Sequence, residues 1–308
     1  MILDNLLEVL KNDEGPELHD FERIDMMCTH YPEQLKLFRE SNPKVLATSE
    51  SIIGHILHKP YGYAGDFRII DRLYTFDASP NFPKWGKYSL QTHGARAVRN
   101  RKDYFKVILD QLAEINPHAH ILNVASGPAR DIYEYLKDNP KSKFQFTCLD
   151  MDDRAITYAK NLNAAHLDKI SFIEKNIIRF RTEEKFDLIW SAGLFDYFKD
   201  KIFVALLNRF SAYLKQNGEI VIGNFNEDYN PSRNYMEVLG DWFLYHRSSC
   251  KLQQLGVEAG FTLNNLQIGR EIENVNLFMH LRKEGSNKAF FDQYNAQKEN
   301  MPFDLKEF

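Results

Sequence analysis

The stretch His120–Asp131, HILNVASGPARD, decides the fold. Ile121 to Ala125 reads as a short buried strand. A turn of small residues follows, Ala125-Ser126-Gly127-Pro128-Ala129, and a helical stretch runs over 128–138. Gly127 lets the backbone turn tightly and come close to a ligand. Pro128 suits a first helical position, where its missing N–H costs nothing. Ala125, Ser126 and Ala129 leave space beside the turn. Strand, tight turn and helix are the opening of a β/α unit.

Four further buried-strand patterns follow downstream: FQFTCLD, ISFIEKN, FDLIWSA and EIVIGNF. Helical stretches at 153–164 and 199–214 lie between them, together with the one at 128–138. Strands alternating with helices predict a parallel sheet with helices on both faces. After GNF comes a longer helical connection. Then FTLNNLQIG and NLFMHLRK, separated by the polar GREIEN, suit an antiparallel pair.

Upstream, the chain to about residue 118 reads helical. Leu6, Leu7, Val9 and Leu10 make an amphipathic start. Asp20 to Glu40 carries Ile24, Met27, Leu35 and Phe38 at helical spacing. Another helical stretch ends near Leu57. Asp66 is placed to cap FRIIDRLY, residues 77–86 read as a Pro/Gly loop, and a long helix is expected from Ser89 to Ile115, stopping at Asn116-Pro117. The organisation predicted is therefore a helical N-terminal lid or substrate region (1–118), a sheet region (119–284) and a tail (285–308) whose aromatic residues suit docking. No internal repeat or low-complexity segment interrupts it.

Composition narrows the function. The chain has 308 residues, 44% hydrophobic and 27% charged, with a net charge of −4. That excludes wholesale disorder, and a mildly acidic balance argues against bulk nucleic-acid binding. Cys28, Cys148 and Cys250 sit far apart, which excludes a disulfide framework or a CxxC metal site and points to free thiols in a reducing, cytoplasmic compartment. No apolar run approaches the roughly 18 residues of a membrane span. The opening MILDNLLEVLKNDEG lacks the basic start and long apolar core of a secretory signal. His55 and His58 have the i,i+3 spacing of two ligands on one helical face, but no acidic or cysteine partner lies nearby in sequence, so no metal is expected.

In an open α/β sheet, ligands bind beyond the carboxyl ends of the strands. The second strand candidate ends at Asp150, a little over 20 residues past the glycine turn, where an acid can accept both hydroxyls of a ribose. A dinucleotide would need G-x-G-x-x-G, and here one glycine is followed by a proline that removes an amide. No G-x-x-x-x-G-K-[ST] exists. A nucleoside cofactor without phosphates fits better, and S-adenosylmethionine has that property. A nicotinamide oxidoreductase is disfavoured on the same ground.

Residues 119–283 resemble the class I S-adenosylmethionine-dependent methyltransferases. NVASGPARD is similar to the family's first motif, Asp150 with Met151 to its acidic second-strand end, and Asn176 with Ile177 to the positions beside the adenine. FDLIWSAGLFDYF resembles the fourth-strand motif, with Ser191 and Ala192 by the methionine part. NGEIVIGNF resembles the fifth strand, and 262–283 the closing hairpin. Three positions depart: Asn123 stands where the family usually has an acid, and Ala125 and Ala129 where it has glycines. The resemblance implies a Rossmann-like seven-stranded sheet, S-adenosylmethionine as cofactor, and Ala125, Ser126, Gly127, Asp150, Met151, Asn176, Ile177 and Ser191 around it. HKPYGYAGDFRIIDRLY ahead of such a region is similar to bacterial methyltransferases of 3-hydroxy fatty acid methyl ester signal synthesis.

Methyl transfer needs alignment and dryness more than acid–base chemistry. A hydroxyl acceptor needs a base, whereas a carboxylate does not. Candidate catalytic residues are Tyr63, in a glycine-flanked segment suited to a lid, with Asp196 and His246. Candidate substrate-binding residues are Tyr61, Arg96, Arg99, Tyr197, Tyr235 and Trp242. Arg96 and Arg99 share a face of a helix that also carries Arg101 and Lys102, where a fork could hold a carboxylate. The expectation is an enzyme that O-methylates a small-molecule or lipid-like acceptor, with no nucleic acid partner. A nucleic-acid or protein acceptor, and a non-catalytic protein that binds S-adenosylmethionine or S-adenosylhomocysteine, remain as rivals. A homodimer also stays open, since helical additions make dimers as readily as they cover pockets.

Overall fold

The computed structural model describes Leu10 and residues 15–283. Most of the expected amphipathic start, and the tail 285–308, lie outside the described residues. Seven strands form one sheet: β1 (His120–Val124), β2 (Gln145–Asp150), β3 (Ile170–Glu174), β4 (Phe186–Ser191), β5 (Leu214–Phe225), β6 (Leu266–Arg270) and β7 (Asn276–Arg282). Their order is β3-β2-β1-β4-β5-β7-β6. β1 to β5 run parallel, and β7 pairs antiparallel with both β5 and β6. The strand order reverses at β1, so the crevice opens at the carboxyl ends of β1, β2 and β4.

Period-two alternation sorts the strand residues onto two apolar layers. Leu122 and Val124 face one, with Phe186, Phe203 and Phe210. Ile121 faces the other, with Phe105, Trp190 and Phe278. There Trp190 stacks between Phe105 at 4.6 Å and Phe278 at 5.6 Å between ring centroids.

The helical half supplies α1 (Phe21–His30), α2 (Pro32–Glu40), α3 (Ile52–His58), α4 (Phe67–Thr75), α5 (Pro83–Gln91) and α6 (His93–Ile115). Two expectations are corrected here. The span Asp20–Glu40 is broken at Tyr31, because Pro32 starts α2 at its first turn. The helix expected from Ser89 is two: Pro83 starts α5 inside the predicted loop, and Thr92 leaves helical geometry so that its side chain accepts from the Ala95 N–H at 3.3 Å, capping α6. Asp66 caps α4 as expected, accepting from the N–H groups of Arg68 (2.9 Å) and Ile69 (3.0 Å).

The sheet half adds α7 (Arg130–Asp138), α8 (Asp153–Leu162), α9 (Asp200–Tyr213) and α10 (Ser249–Glu258). A buried latch joins the two halves: Asp71 of α4 accepts from Nε and Nη2 of Arg130 on α7 and from the Tyr158 hydroxyl on α8. This contact holds α4 over the open end of the sheet.

Candidate functional site

The turn after β1 is wound tightly. Ala125, Gly127 and Ala129 take φ of 54°, 52° and 48°. Left-handed alanines cost roughly 1 kcal/mol each, so the loop shape is held by its surroundings. One surrounding group is Asp150 at the end of β2. Its Oδ2 accepts from the Gly127 N–H at 2.8 Å and its Oδ1 from the Asp152 N–H at 3.0 Å. Burial raises the Asp150 pKa above the usual carboxylate value. A Cβ built on Gly127 would meet nothing within 4 Å. Gly127 lines a cavity of about 330 Å³ that lies between the sheet's open end and the helices above.

Seven of the eight residues expected around the cofactor line this cavity: Ala125, Ser126, Gly127, Asp150, Met151, Asn176 and Ile177. Ser191 sits beneath it and donates to the Val124 carbonyl at 3.1 Å, a bond between neighbouring strands. Tyr63 also lines the cavity and donates to Asp152 Oδ2 at 3.2 Å. Burial, and next the charge on Asp150, push its phenol well above the ordinary range, so at neutral pH it is a donor. The YGYAGD turn divides its glycines by role. Gly62 has φ of 92°. Gly65 packs so closely that a Cβ would lie 2.7 Å from the Trp242 ring and 2.9 Å from the Tyr197 hydroxyl.

At the far end of the cavity stand Asp196, Tyr197 and Trp242. Trp242 Nε1 donates to Tyr197 Oη at 2.8 Å. Asp196 is buried, accepts from the Phe225 N–H at 2.7 Å, and is pushed up to about 6 by burial.

Five other candidates are engaged outside the cavity wall. His246 accepts at Nε2 from Asn230 (3.0 Å) and donates at Nδ1 to the Leu244 carbonyl (3.2 Å), and burial lowers its pKa. Tyr61 packs edge-on to Phe67 and under Arg154. Arg96 forks onto Glu273, Arg99 donates to the carbonyls of Leu73 and Leu90, and Tyr235 bonds Ser89 among the helices.

Polar cavity residues that the sequence did not single out as site residues include Tyr74, Arg101, Asn123, Asp131 and Lys175. For Arg101 a signal existed. It shares its face of α6 with Ala97, Val98, Tyr104 and Phe105, all apolar, whereas solvated arginines keep polar company. Asp131 was in view within the first motif, but a carboxylate in the first turn of a helix reads as dipole stabilisation.

The family described as "Methyltransferase domain" matches residues 115–275 of this chain, which span the sheet and the cavity floor. The chain belongs to that family. The methyltransferase is also similar to malonyl-[acyl-carrier protein] O-methyltransferase 1 of Ilyobacter polytropus, 26% identical over 223 residues, covering 68% of this chain and 80% of the relative. A solved protein of Bordetella parapertussis, described as a possible exported protein, superposes with a TM-score of 0.66 at 19% identity. It covers 91% of this chain and 95% of its own, so the shared fold includes the helical half. The methyltransferase is an S-adenosylmethionine-dependent enzyme of class I.

The residues present fit that cofactor. The open space at Gly127 accepts a group that any side chain would fill, and Asp150 keeps carboxylate lone pairs beside it. No helix among the described residues is long and apolar enough to cross a membrane. Among the same residues, no group of three or more His, Cys, Asp or Glu could hold a metal ion. His55 bonds Asp66 and His58 the Leu46 carbonyl.

Proposed function

We propose that the enzyme O-methylates a small-molecule or lipid-like acceptor, with Asp196 taking the proton from an acceptor hydroxyl. The observation that carries this is the acceptor end of the cavity. Its walls there are apolar, from Leu194, Phe198, Phe225, Trp242 and Leu244, and Asp196 is the carboxyl set among them. With a pKa of about 6, Asp196 is ionised at neutral pH yet basic enough to receive a proton as the oxygen attacks.

Bound S-adenosylmethionine supplies an electrophilic methyl group on a sulfonium. The protein's part is to hold and align. Asp150 would accept the ribose hydroxyls, and Gly127 would let the backbone lie against the sugar. Met151 and Ile177 would flank the adenine, with Asn176 at its edge and Ala125 and Ser126 beside the turn. Tyr63 would close the ribose side. Gly65 seats its turn against Tyr197 and Trp242, which keeps bulk water from the acceptor end.

The likeness to an O-methyltransferase of a malonyl group favours a second reading, in which the nucleophile is a carboxylate oxygen and no base is required. The resemblance of the HKPYGYAGD segment to makers of fatty acid methyl esters supports the same reading. One experiment separates the two. Purified enzyme is incubated with methyl-labelled cofactor and with whole-cell extract containing small molecules, lipids, protein and nucleic acid, and the labelled product is fractionated and treated with alkali. A hydroxyl acceptor gives an alkali-stable ether, and Asp196→Asn lowers its formation by about 10²–10⁴-fold. An alkali-labile ester formed as fast by Asp196→Asn establishes the carboxylate reading instead. Label found only in protein or nucleic acid refutes both.

A further inference from the structure

Two opposite charges line the same cavity and do not pair with each other. Arg101 and Asp131 are both buried, at 7% exposure each. The guanidinium donates to neutral acceptors: Nε to the Tyr74 hydroxyl at 3.1 Å and Nη1 to the Ala192 carbonyl at 3.4 Å. The carboxylate accepts from neutral donors: the Ile132 N–H at 2.9 Å and Asn123 Nδ2 at 3.4 Å. Among the described residues, no carboxylate oxygen comes within the 4.0 Å of an ion pair with Arg101. Buried charges are normally paired, because each costs several kcal/mol to desolvate. A buried cation and a buried anion facing one space, each held by neutral groups, are the complement of a zwitterion.

Their place in the sheet says which zwitterion. Asp150 and Gly127 lie on the β2 side of β1. Ala192 follows β4, on the other side of β1, and Asn123 and Asp131 belong to β1 and to the first turn of α7. A ligand with its ribose at Asp150 and extending across β1 brings its amino-acid end between Asp131 and Arg101. Asn123, being neutral, cannot provide the negative charge there. The cation is also deliberately housed. A Cβ at Gly193 would lie 2.8 Å from Arg101 Nη1. The Tyr74 ring sits 5.7 Å from the guanidinium carbon.

We propose that Asp131 and Arg101 clamp the methionine end of the cofactor, Asp131 taking its ammonium and Arg101 its carboxylate. This rests on S-adenosylmethionine as the cofactor and is independent of the acceptor. It leaves Asp196 as the charged group at the acceptor end.

Calorimetry tests it with two ligands: S-adenosylhomocysteine, which carries the amino-acid end, and 5′-methylthioadenosine, which lacks it. Asp131→Asn and Arg101→Gln should each weaken S-adenosylhomocysteine by roughly ten- to hundredfold, and leave 5′-methylthioadenosine within about twofold. Decarboxylated S-adenosylmethionine should feel Asp131→Asn and ignore Arg101→Gln. Should Arg101→Gln fail to fold, Arg101→Lys, which keeps charge and loses the fork, takes its place with the same expectation. Unchanged S-adenosylhomocysteine affinity in both variants overturns the clamp and hands the pair to the acceptor. Equal loss for both ligands also overturns it, because the residues would then support the pocket as a whole. A wild-type enzyme that binds 5′-methylthioadenosine and not S-adenosylhomocysteine excludes a clamp, and one that binds neither removes the cofactor assignment itself.

Discussion

Asp131→Asn should make the cofactor-free enzyme more stable. Burial moves the Asp131 carboxyl from 3.8 to about 6, against the pull of its hydrogen bonds and of Arg101. A shift of about 2 units corresponds to roughly 3 kcal/mol by which the ionised carboxylate disfavours the folded state. The sign follows from linkage. The folded pKa is raised, so the folded chain keeps its proton while the unfolded chain releases its own. The favourable contribution is present below about pH 4 and is lost as pH rises through about 6. Asparagine keeps an acceptor for the Ile132 N–H and carries no charge. Its advantage over aspartate should therefore be close to nil at pH 4 and reach about 3 kcal/mol at pH 7, or roughly 5 °C in Tm for a chain of this size. Thermal unfolding of both proteins without cofactor, from pH 4 to pH 8, measures it. A stability difference that does not change with pH, or an asparagine variant less stable at pH 7, would refute the argument that this carboxylate is buried for a ligand and not for the fold.

Two further outcomes follow from contacts that place the helices over the sheet. Asp71→Ala leaves Arg130 partly buried without its carboxylate and should cost about 3 kcal/mol in denaturant unfolding; a loss under 1 kcal/mol would mean that the latch does not hold α4. Gly65→Val forces a side chain against Trp242 and Tyr197, 2.7 and 2.9 Å from its Cβ; overpacking costs roughly 1–3 kcal/mol, and turnover should fall while S-adenosylhomocysteine affinity, read by calorimetry, stays within about twofold.

The sheet was legible because its signals are local and repeated. Each strand is a short apolar run ended by a turn, and five in series leave few topologies. Seven of eight residues expected around the cofactor line the cavity, since they follow strand ends at fixed offsets. The eighth, Ser191, is the last residue of β4; Trp190 and Ala192 on either side of it line the cavity, while its own hydroxyl is spent on the neighbouring strand. The acceptor side was harder because it depends on how distant segments meet. Arg96 and Arg99 look like an anion fork on a helical wheel, yet Glu273, in the turn between β6 and β7, takes the first. The second is spent on the carbonyls of Leu73 and Leu90. Arg101, two positions on, points the other way into the cavity. Helix boundaries failed where a single residue competes for backbone groups, as Thr92 does. Burial of a charge depends on the neighbouring element, and no spacing rule reports it.

The adjacent residues Arg130 and Asp131 tie the helical half to the cavity. Both occupy the first turn of α7. Arg130 turns outward to the latch with Asp71 and Tyr158, and Asp131 turns inward to the cavity. Asp71 and Tyr74 are three residues apart on α4, one helical turn, and Tyr74 holds Arg101. The chain of contacts therefore closes on itself: Asp131, Arg130, Asp71, Tyr74, Arg101, and back across the cavity to Asp131. A ligand that bridges Arg101 and Asp131 completes this ring, so binding energy won at the cavity is felt at the latch. In its absence the two buried charges oppose folding. Under the proposed clamp, a bound cofactor would offset that cost and fasten α6 to α7 across the cavity, so that binding would add to the stability of the fold.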